Sequence, residues 1–208
     1  MRLDHVSYAC APGELAEVVQ RIGSDLGAPF TDGGIHPSFG TRNFILPLAD
    51  GTYIEVVAAL DHPAADKAPF GRAVRQRAEE GGGWLAWVIG VDDIATVEAR
   101  LGRASMPGHR IRPDGAELKW RQIGVLDLLD DPQMPYFIEW DASSEHPSAS
   151  GSEIRLASIE MCGDEQGLAA WLDEDGSSLG LSVSWVEADD RGIAACNFLT
   201  PRGFVRVD

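Results

Sequence analysis

The chain has 208 residues, of which 44% are hydrophobic and 24% charged, enough for one or two compact domains and too apolar for global disorder. Its formal net charge of -16 at pH 7 repels nucleic acid and anionic membrane surfaces. The N-terminal residues lack the apolar core of a signal peptide, and no run approaches the roughly 18 apolar residues of a membrane span, so we expect a cytoplasmic protein.

Three stretches of the chain repeat one pattern, in which a strand, a helix and further strands follow one another. The first copy occupies residues 1–60. It opens with a predicted strand over residues 3–9, and apolar residues at helical spacing predict a helix over residues 14–26. A later strand turns at an Asp-Gly pair and returns through residues 51–57, an aromatic and β-branched run with one charged residue near its middle.

The other two copies, residues 83–142 and 153–208, follow the same order. Between the copies, residues 71–80 predict a helix, and the Ser-rich residues 142–152 predict a flexible joint. The opening strands and helices of these two copies are predicted over residues 84–91, 94–101, 154–161 and 165–172.

The repeats predict an α+β fold, because one βαβββ module cannot bury both faces of its sheet whereas two modules can enclose a pocket. We therefore expect a curved mixed sheet around a pocket, formed by modules 1–60 and 83–142 within a domain of residues 1–145. A third, degenerate module, residues 153–208, must extend this sheet, cap it or pair with a second chain, so a homodimer is one expected arrangement.

Several short stretches resemble a known family. They are LDHV at residues 3–6, HPSFGTRN at 36–43, IE at 54–55, RPDG at 112–115, LKWR at 118–121 and IEW at 138–140. These stretches are similar to those of glyoxalase-like domains of the vicinal oxygen chelate superfamily, which includes glyoxalase I, bleomycin-resistance proteins and ring-cleaving dioxygenases. The resemblance covers roughly residues 1–145.

The resemblance implies a metal site formed by His5, Glu55 and Glu139. One divalent ion would be bound, Zn, Ni, Mn, Fe or Co, because imidazole is a poor calcium ligand. The second module offers no ligand on its opening strand, where residues 85–88 are Leu-Ala-Trp-Val. The same three residues could therefore serve as metal-free acid–base or ligand-binding groups, with no cofactor, or be structural.

Six further residues are candidates for substrate binding, and each also has a structural interpretation. The structural alternatives are a loop histidine, turn-forming polar residues, core tryptophans and a surface ion pair. An arginine in this set suits a substrate carboxylate, which its planar fork binds in bidentate fashion. The six are His36, Thr41, Asn43, Trp87, Trp120 and Arg121.

Two functions follow from the resemblance. The first is a glyoxalase-like enzyme, a lyase or isomerase that abstracts a proton from a small oxygenated substrate, with Glu139 or Glu55 as the base. The alternative is a metal-free protein that sequesters a drug or metabolite against aromatic side chains, among them Trp84 and Trp140. In both cases the expected partner is a small molecule, with no nucleic acid and no membrane.

Overall fold

The structure is a computed structural model, and it describes residues 1–173 and 179–208. The first module contains β1 (Arg2–Ala9), α1 (Leu15–Leu26), β2 (Thr31–His36), β3 (Thr41–Pro47) and β4 (Tyr53–Ala59), and α2 (Pro63–Lys67) and α3 (Pro69–Glu79) follow it. The second contains β5 (Gly83–Gly90), α4 (Ile94–Leu101), β6 (Met106–Ile111), β7 (Glu117–Ile123), α5 (Val125–Asp130) and β8 (Tyr136–Trp140). The third contains β9 (Arg155–Cys162), α6 (Glu165–Leu172), β10 (Ser182–Trp185), β11 (Gly192–Thr200) and β12 (Gly203–Val207). The predicted α+β fold of βαβββ modules is confirmed.

The strands of the first two modules form one closed barrel in the order β1-β4-β3-β2-β6-β7-β8-β5. Each module supplies four adjacent strands, and the two halves meet where β1 pairs with β5 and where β2 pairs with β6. The sheet is mixed, because β1 with β4 and β5 with β8 run parallel while the other pairs are antiparallel. The expected pocket is therefore enclosed by strands on all sides.

Alternation along the strands decides which side chains enter the barrel. On β4, Ile54 and Val56 belong to the apolar core outside the barrel, whereas Glu55 lines the cavity inside it. The connection from β3 to β4 is five residues long, since Pro47 pairs with Tyr53. This loop length sets which face of β4 is turned inward.

The third module forms a separate sheet of order β10-β9-β11-β12. In the described part of the chain none of its strands pairs with a barrel strand; instead one face of this sheet packs against the outside of the barrel. The indole N–H of Trp84 donates to the carbonyl of Val207 at 2.9 Å across this contact. The core shared by the two sheets includes Val6, Trp84, Trp87, Ile159, Met161 and Phe198. Of the three expected roles, covering the sheet is the one observed.

The opposite face of the second sheet carries a polar cluster. Asn197 donates from Nδ2 to Glu160 Oε1 at 3.0 Å and to Ser158 Oγ at 3.2 Å. Arg206 forms a forked ion pair with the same carboxylate, at 3.0 Å between Nη2 and Oε2. The hydrogen bond from Arg206 lowers the pKa of Glu160 most, and the hydrogen bond from Asn197 lowers it further.

The barrel is joined least extensively between β2 and β6. Only Ile35 and Ile111 pair in register there. Gly34 lies beside this pair with φ of 100°, and a Cβ at its position would come 1.9 Å from the carbonyl oxygen of Ile111. A glycine is therefore required for these two strands to approach each other.

The segment expected to be a flexible joint, residues 142–152, is instead held against the barrel. Ser144 Oγ accepts a hydrogen bond from the backbone N–H of Lys119 at 2.8 Å, and Glu145 pairs with Arg112 at 3.0 Å. His146 reaches a buried carboxylate at 3.1 Å. Among the helices that the structure describes, none is long and apolar enough to cross a membrane.

Candidate functional site

A buried carboxylate lies at the centre of the barrel. Glu55 stands in the middle of β4 and is only 4% exposed. Because β1 and β3 flank β4, their inward side chains reach it: Ser7 Oγ donates to Oε2 at 2.7 Å, and Asn43 Nδ2 donates to Oε1 at 2.6 Å. Each oxygen of the carboxylate therefore accepts one short hydrogen bond.

Two histidines direct their Nε2 atoms toward this carboxylate. His5 Nε2 is 3.9 Å from Oε2 of Glu55, and His36 Nε2 is 4.0 Å from Oε1. The other ring nitrogen of each histidine is held from behind: His5 Nδ1 lies 2.6 Å from Asp4 Oδ1, and His36 Nδ1 lies 2.8 Å from Thr41 Oγ1. Both rings are thus fixed in orientation.

Asp4 is a second buried carboxylate. It also accepts hydrogen bonds from Trp140 Nε1 at 2.9 Å and from His146 Nε2 at 3.1 Å. Burial opposes its ionisation, but the hydrogen bonds from His146 and His5 outweigh burial and hold the pKa of Asp4 far below its ordinary value. An ionised carboxylate can only accept, so the His5 ring carries a proton on Nδ1, and whenever Nε2 is unprotonated its lone pair faces the cavity.

The central carboxylate is ionised as well. Burial would raise the pKa of Glu55, but the adjacent His36 and His5 rings and the hydrogen bonds from Ser7 and Asn43 hold it below the ordinary value. Burial lowers the pKa of His36 to about 4, so its ring is neutral at pH 7. The site therefore holds two carboxylates and a neutral imidazole at neutral pH.

The buried His36 ring predicts a pH dependence of stability. This ring takes up a proton below pH 6.5 in the unfolded chain but only below about 4 in the folded one. The unfolded state then binds more protons between these values, so the free energy of unfolding should fall by roughly 3 kcal/mol as the pH drops through this window. Asp4 and Glu55 add to the loss only at the acid end, because their unfolded values lie at 3.8 and 4.5.

Urea unfolding between pH 7 and pH 4.5 measures this slope. His36→Gln should flatten it, whereas His62→Asn, at an exposed helix N-cap, should leave it unchanged. The groups that act on the His36 ring are Glu55, which raises its pKa, and Arg110, His5 and His109, which lower it. A wild-type slope that persists in His36→Gln would contradict the assignment.

Aromatic side chains surround the polar centre. The free space inside the barrel is about 20 Å³, which is room for one ordered water molecule. Tyr53 stacks on the His5 ring with 4.4 Å between ring centroids. The remaining aromatic lining residues are Phe39, Phe70, Trp120, Tyr136 and Trp140. A substrate larger than water must therefore displace one of these rings or extend outward through an opening.

The structure brings together six of the residues expected from the sequence. His5, His36, Asn43, Glu55 and Trp120 line the cavity, and Thr41 supports His36 from behind. His36 was expected in a loop, but it is the last residue of β2 and is buried.

Three other expected site residues lie outside the barrel. Trp87 is fully buried in the outer core, where its indole N–H donates to the carbonyl of Gln133 at 2.9 Å. Arg121 pairs with Glu98 at 3.1 Å on the outer face, as its structural interpretation required. Glu139 accepts the backbone N–H of Ile94 at 3.0 Å, at the first turn of α4.

The position of Glu139 corrects the expectation that it shares a pocket with Glu55. Along β8, Tyr136, Ile138 and Trp140 line the cavity, so the residue between the last two faces outward. Val88 pairs with Tyr136 just as His5 pairs with Tyr53. The counterpart of Glu55 is therefore Ile138, and aligning the two Ile-Glu pairs was wrong by one residue.

The metal site implied by the resemblance does not come together. With Glu139 outside the barrel, only His5 and Glu55 remain of the three expected ligands. As the side chains are arranged, residues 1–173 and 179–208 contain no group of three or more His, Cys, Asp and Glu that could hold a metal ion. His36 does not complete the set, because its Nε2 is 4.0 Å from Oε1 of Glu55 whereas that of His5 is 3.9 Å from Oε2, so the two imidazoles approach different oxygens. The residues present do not fit the expected centre.

Several residues of the site were not expected from the sequence, and four of them belong to its charged and hydrogen-bonded centre. Asp4 and Ser7 lie in the opening strand but carried no signal beyond their residue types. His146 lies in the segment expected to be a flexible joint, yet it contacts Asp4 and the rings of Tyr53 and Trp140. The fourth is Arg110, whose inward direction follows from its pairing with Leu118 once the register of β6 and β7 is known.

Comparisons with known proteins agree with this architecture. A family model described as "Glyoxalase-like domain" matches residues 3–176. A hypothetical protein from Staphylococcus aureus superposes with a TM-score of 0.61 at 16% identity, covering 100% of this chain and 85% of that one. The methylmalonyl-CoA epimerase from Mycobacterium tuberculosis gives a TM-score of 0.43 at 17% identity over 67% of this chain and 86% of its own. Comparison with curated proteins gave no match.

Proposed function

The chain belongs to the family of glyoxalase-like domains, and from that premise we propose that the barrel interior is the active site of a lyase or isomerase that moves a proton on a small oxygenated substrate. The observation that carries the proposal is the position of His5 between two carboxylates. Asp4 faces one ring nitrogen at 2.6 Å, and Glu55 lies 3.9 Å from the other.

In this proposal His5 is the general base. Its Nε2 lone pair faces the cavity, because Asp4 accepts the proton on Nδ1 and so selects the tautomer. When Nε2 takes a proton from a substrate carbon next to a carbonyl group, the positive charge on the ring lies between Asp4 and Glu55. Both carboxylates stabilise that charge, and no solvent has to reorganise around it.

Glu55 has the supporting role rather than that of the base. Its two oxygens are occupied by Ser7 and Asn43, which keep it ionised and fixed in place. The proton held by His5 can return to another carbon, which gives an isomerase, or the carbanion can expel a leaving group, which gives a lyase. The residues of the site support proton abstraction, which is common to both reactions.

The test is proton exchange with solvent. We expect the protein to catalyse exchange of the carbon-bound proton next to the carbonyl in at least one member of a panel of small 2-hydroxy and 2-oxo compounds in D2O, followed by 1H NMR. His5→Asn should lower that rate at least about 100-fold, the usual contribution of a general base.

The matched control is His62→Asn, since asparagine is also a good N-cap and the fold is retained. Its exchange rate should equal that of the wild type. Equal rates in wild type and His5→Asn would reject His5 as the base.

The aromatic lining favours one other candidate, a protein that sequesters a small ring compound. Trp120 and Trp140 lie in the cavity with their ring centroids 5.3 Å apart, whereas Trp84 is in the outer core. A sequestering protein would bind its ligand without exchanging protons, and His5→Asn would leave binding unchanged. The proton-exchange experiment therefore also separates these two functions.

A further inference from the structure

Arg110 is a buried cation that forms no ion pair with any residue the structure describes. Its side chain projects from β6 into the barrel, and the residue is only 4% exposed. Nε is buried and has no hydrogen-bond partner, and no carboxylate among the described residues forms an ion pair with the guanidinium. Burying a charge in this way is costly unless a counter-ion joins it.

The charged side chains at the mouth of the barrel form ion pairs with one another. Around the mouth of the barrel, Arg112 pairs with Asp114 at 3.3 Å and with Glu145 at 3.0 Å. Asp32 is paired with Arg42. These side chains at the mouth therefore neutralise one another.

Inside the barrel, burial lowers the pKa of Arg110 and the charges of Tyr53 and Glu55 oppose that shift, but Glu55 accepts its hydrogen bonds from Ser7 and Asn43 and forms no ion pair with the guanidinium among the described residues. The guanidinium donors are therefore left for a molecule that enters from outside.

Arg110 also lies where the inside of the barrel meets the outside. It lines the inner cavity together with His5 and Glu55, and it lines an outer cavity of about 470 Å³ together with Arg112 and His146. The junction of β2 and β6, with its single registered pair, is next to it at Ile111. Arg110 is thus the lining residue that the two cavities have in common.

We propose that Arg110 binds the carboxylate of the substrate, so that the natural substrate is a small oxygenated carboxylic acid. In naming a substrate class, this inference rests on the proposed function. A carboxylate matches the planar fork of the guanidinium and accepts two parallel hydrogen bonds from it. Anchored there, the acid presents its neighbouring carbon toward His5. Phosphate carries a larger negative charge than a carboxylate at neutral pH, so the adjacent Asp4 and Glu55 disfavour it more strongly.

The arginine also explains how a very acidic protein can admit an acid. The net charge of -16 repels anions at long range. Inside the barrel, Asp4 and Glu55 add two further negative charges. Without a buried cation, a carboxylate would not remain beside them, so the guanidinium supplies the attraction that the rest of the molecule lacks.

The test uses glycolate and its neutral isostere glycolamide as probes, with binding followed by the fluorescence of the pocket tryptophans and by calorimetry. The wild type should bind glycolate at least 10-fold more tightly than glycolamide or inorganic phosphate. Arg110→Gln should weaken glycolate binding at least 10-fold, and Arg110→Lys should weaken it less. Arg112→Gln, which removes an equal charge two residues away, should change it less than twofold.

The inference is overturned if the wild type binds no glycolate, or if it binds glycolamide or phosphate as tightly as glycolate. It is also overturned if Arg110→Gln binds glycolate as tightly as the wild type does. A loss of glycolate affinity in Arg112→Gln as large as that in Arg110→Gln would overturn it as well. The melting temperature of Arg110→Gln, measured beside that of the wild type, shows that a loss of binding is not a loss of folding. Arg110→Lys retains the charge and tests the planar fork separately. His5→Asn should still bind glycolate, so failure of the proposed chemistry and failure of the anchor give different results.

Discussion

Deleting residues 153–208 should prevent the barrel from forming a soluble, cooperatively folded unit. The second sheet packs against the outer face of β5, and its removal would expose Trp84, Trp87 and Ile89, all of which are buried. Large contiguous apolar surfaces of this kind cause association. A fragment of residues 1–150 should therefore elute as aggregate, bind a hydrophobic dye and melt without a cooperative transition.

Two phenylalanines provide a graded version of this experiment. Phe198 on β11 is 0% exposed in the shared core, and Phe198→Ala should lower the free energy of unfolding by about 3–5 kcal/mol. Phe204 on β12 is 63% exposed, and Phe204→Ala should change it by less than about 0.5 kcal/mol. A soluble, monomeric 1–150 fragment with a sharp thermal transition would contradict this account of the second sheet.

Asp4→Asn should lower the rate of proton exchange by about 1,000-fold or more while changing the volume of the site very little. The amide that replaces the carboxylate can donate to His5 Nδ1, which moves the ring proton to Nε2 and removes the lone pair that faces the cavity. The negative charge that stabilises the protonated ring is lost as well. Nitrogen chemical shifts of the His5 ring report the tautomer without any substrate.

Asp93→Asn is the matched control, because Asp93 caps α4 and asparagine caps a helix equally well. It should keep both the exchange rate and the His5 tautomer of the wild type. An Asp4→Asn variant that retains the Nδ1–H tautomer and wild-type exchange would show that Asp4 is structural.

The periodicity of apolar residues in the sequence was sufficient to predict most of the helices and strands. The helix predicted over residues 94–101 is observed with the same bounds, and that over residues 165–172 likewise. The helix expected from residue 71 begins earlier, at Pro69, because proline is well suited to the first turn. The strand ending at His36 was missed, since its two glycines resemble a loop.

The site was predictable only where the face of a strand was known. Glu55 and His5 were predicted correctly as residues of the cavity. Glu139 was not, because a one-residue shift moves a side chain to the other face of a sheet. The register of β6 against β7 determines that Arg110 lies inside the barrel and that Arg121 lies outside it. Such registers depend on loop lengths and on pairings between distant strands, which local patterns do not reveal.

The polar cluster on the second sheet contains a carboxylate in surroundings similar to those of Glu55 in the barrel. There, Asn197 supports Glu160 much as Asn43 supports Glu55, but the guanidinium of Arg206 clamps the carboxylate directly. Such a pair is self-neutralised, and its field is cancelled within a few ångströms. The carboxylate in the barrel forms no ion pair with an arginine in the described part of the chain, and Arg110 acts on it only through space. Its oxygens therefore remain open to a positive charge that forms beside them, such as that on a protonated His5. The third module serves as an internal reference, since one chain displays the same amide–carboxylate contact with and without a clamping arginine.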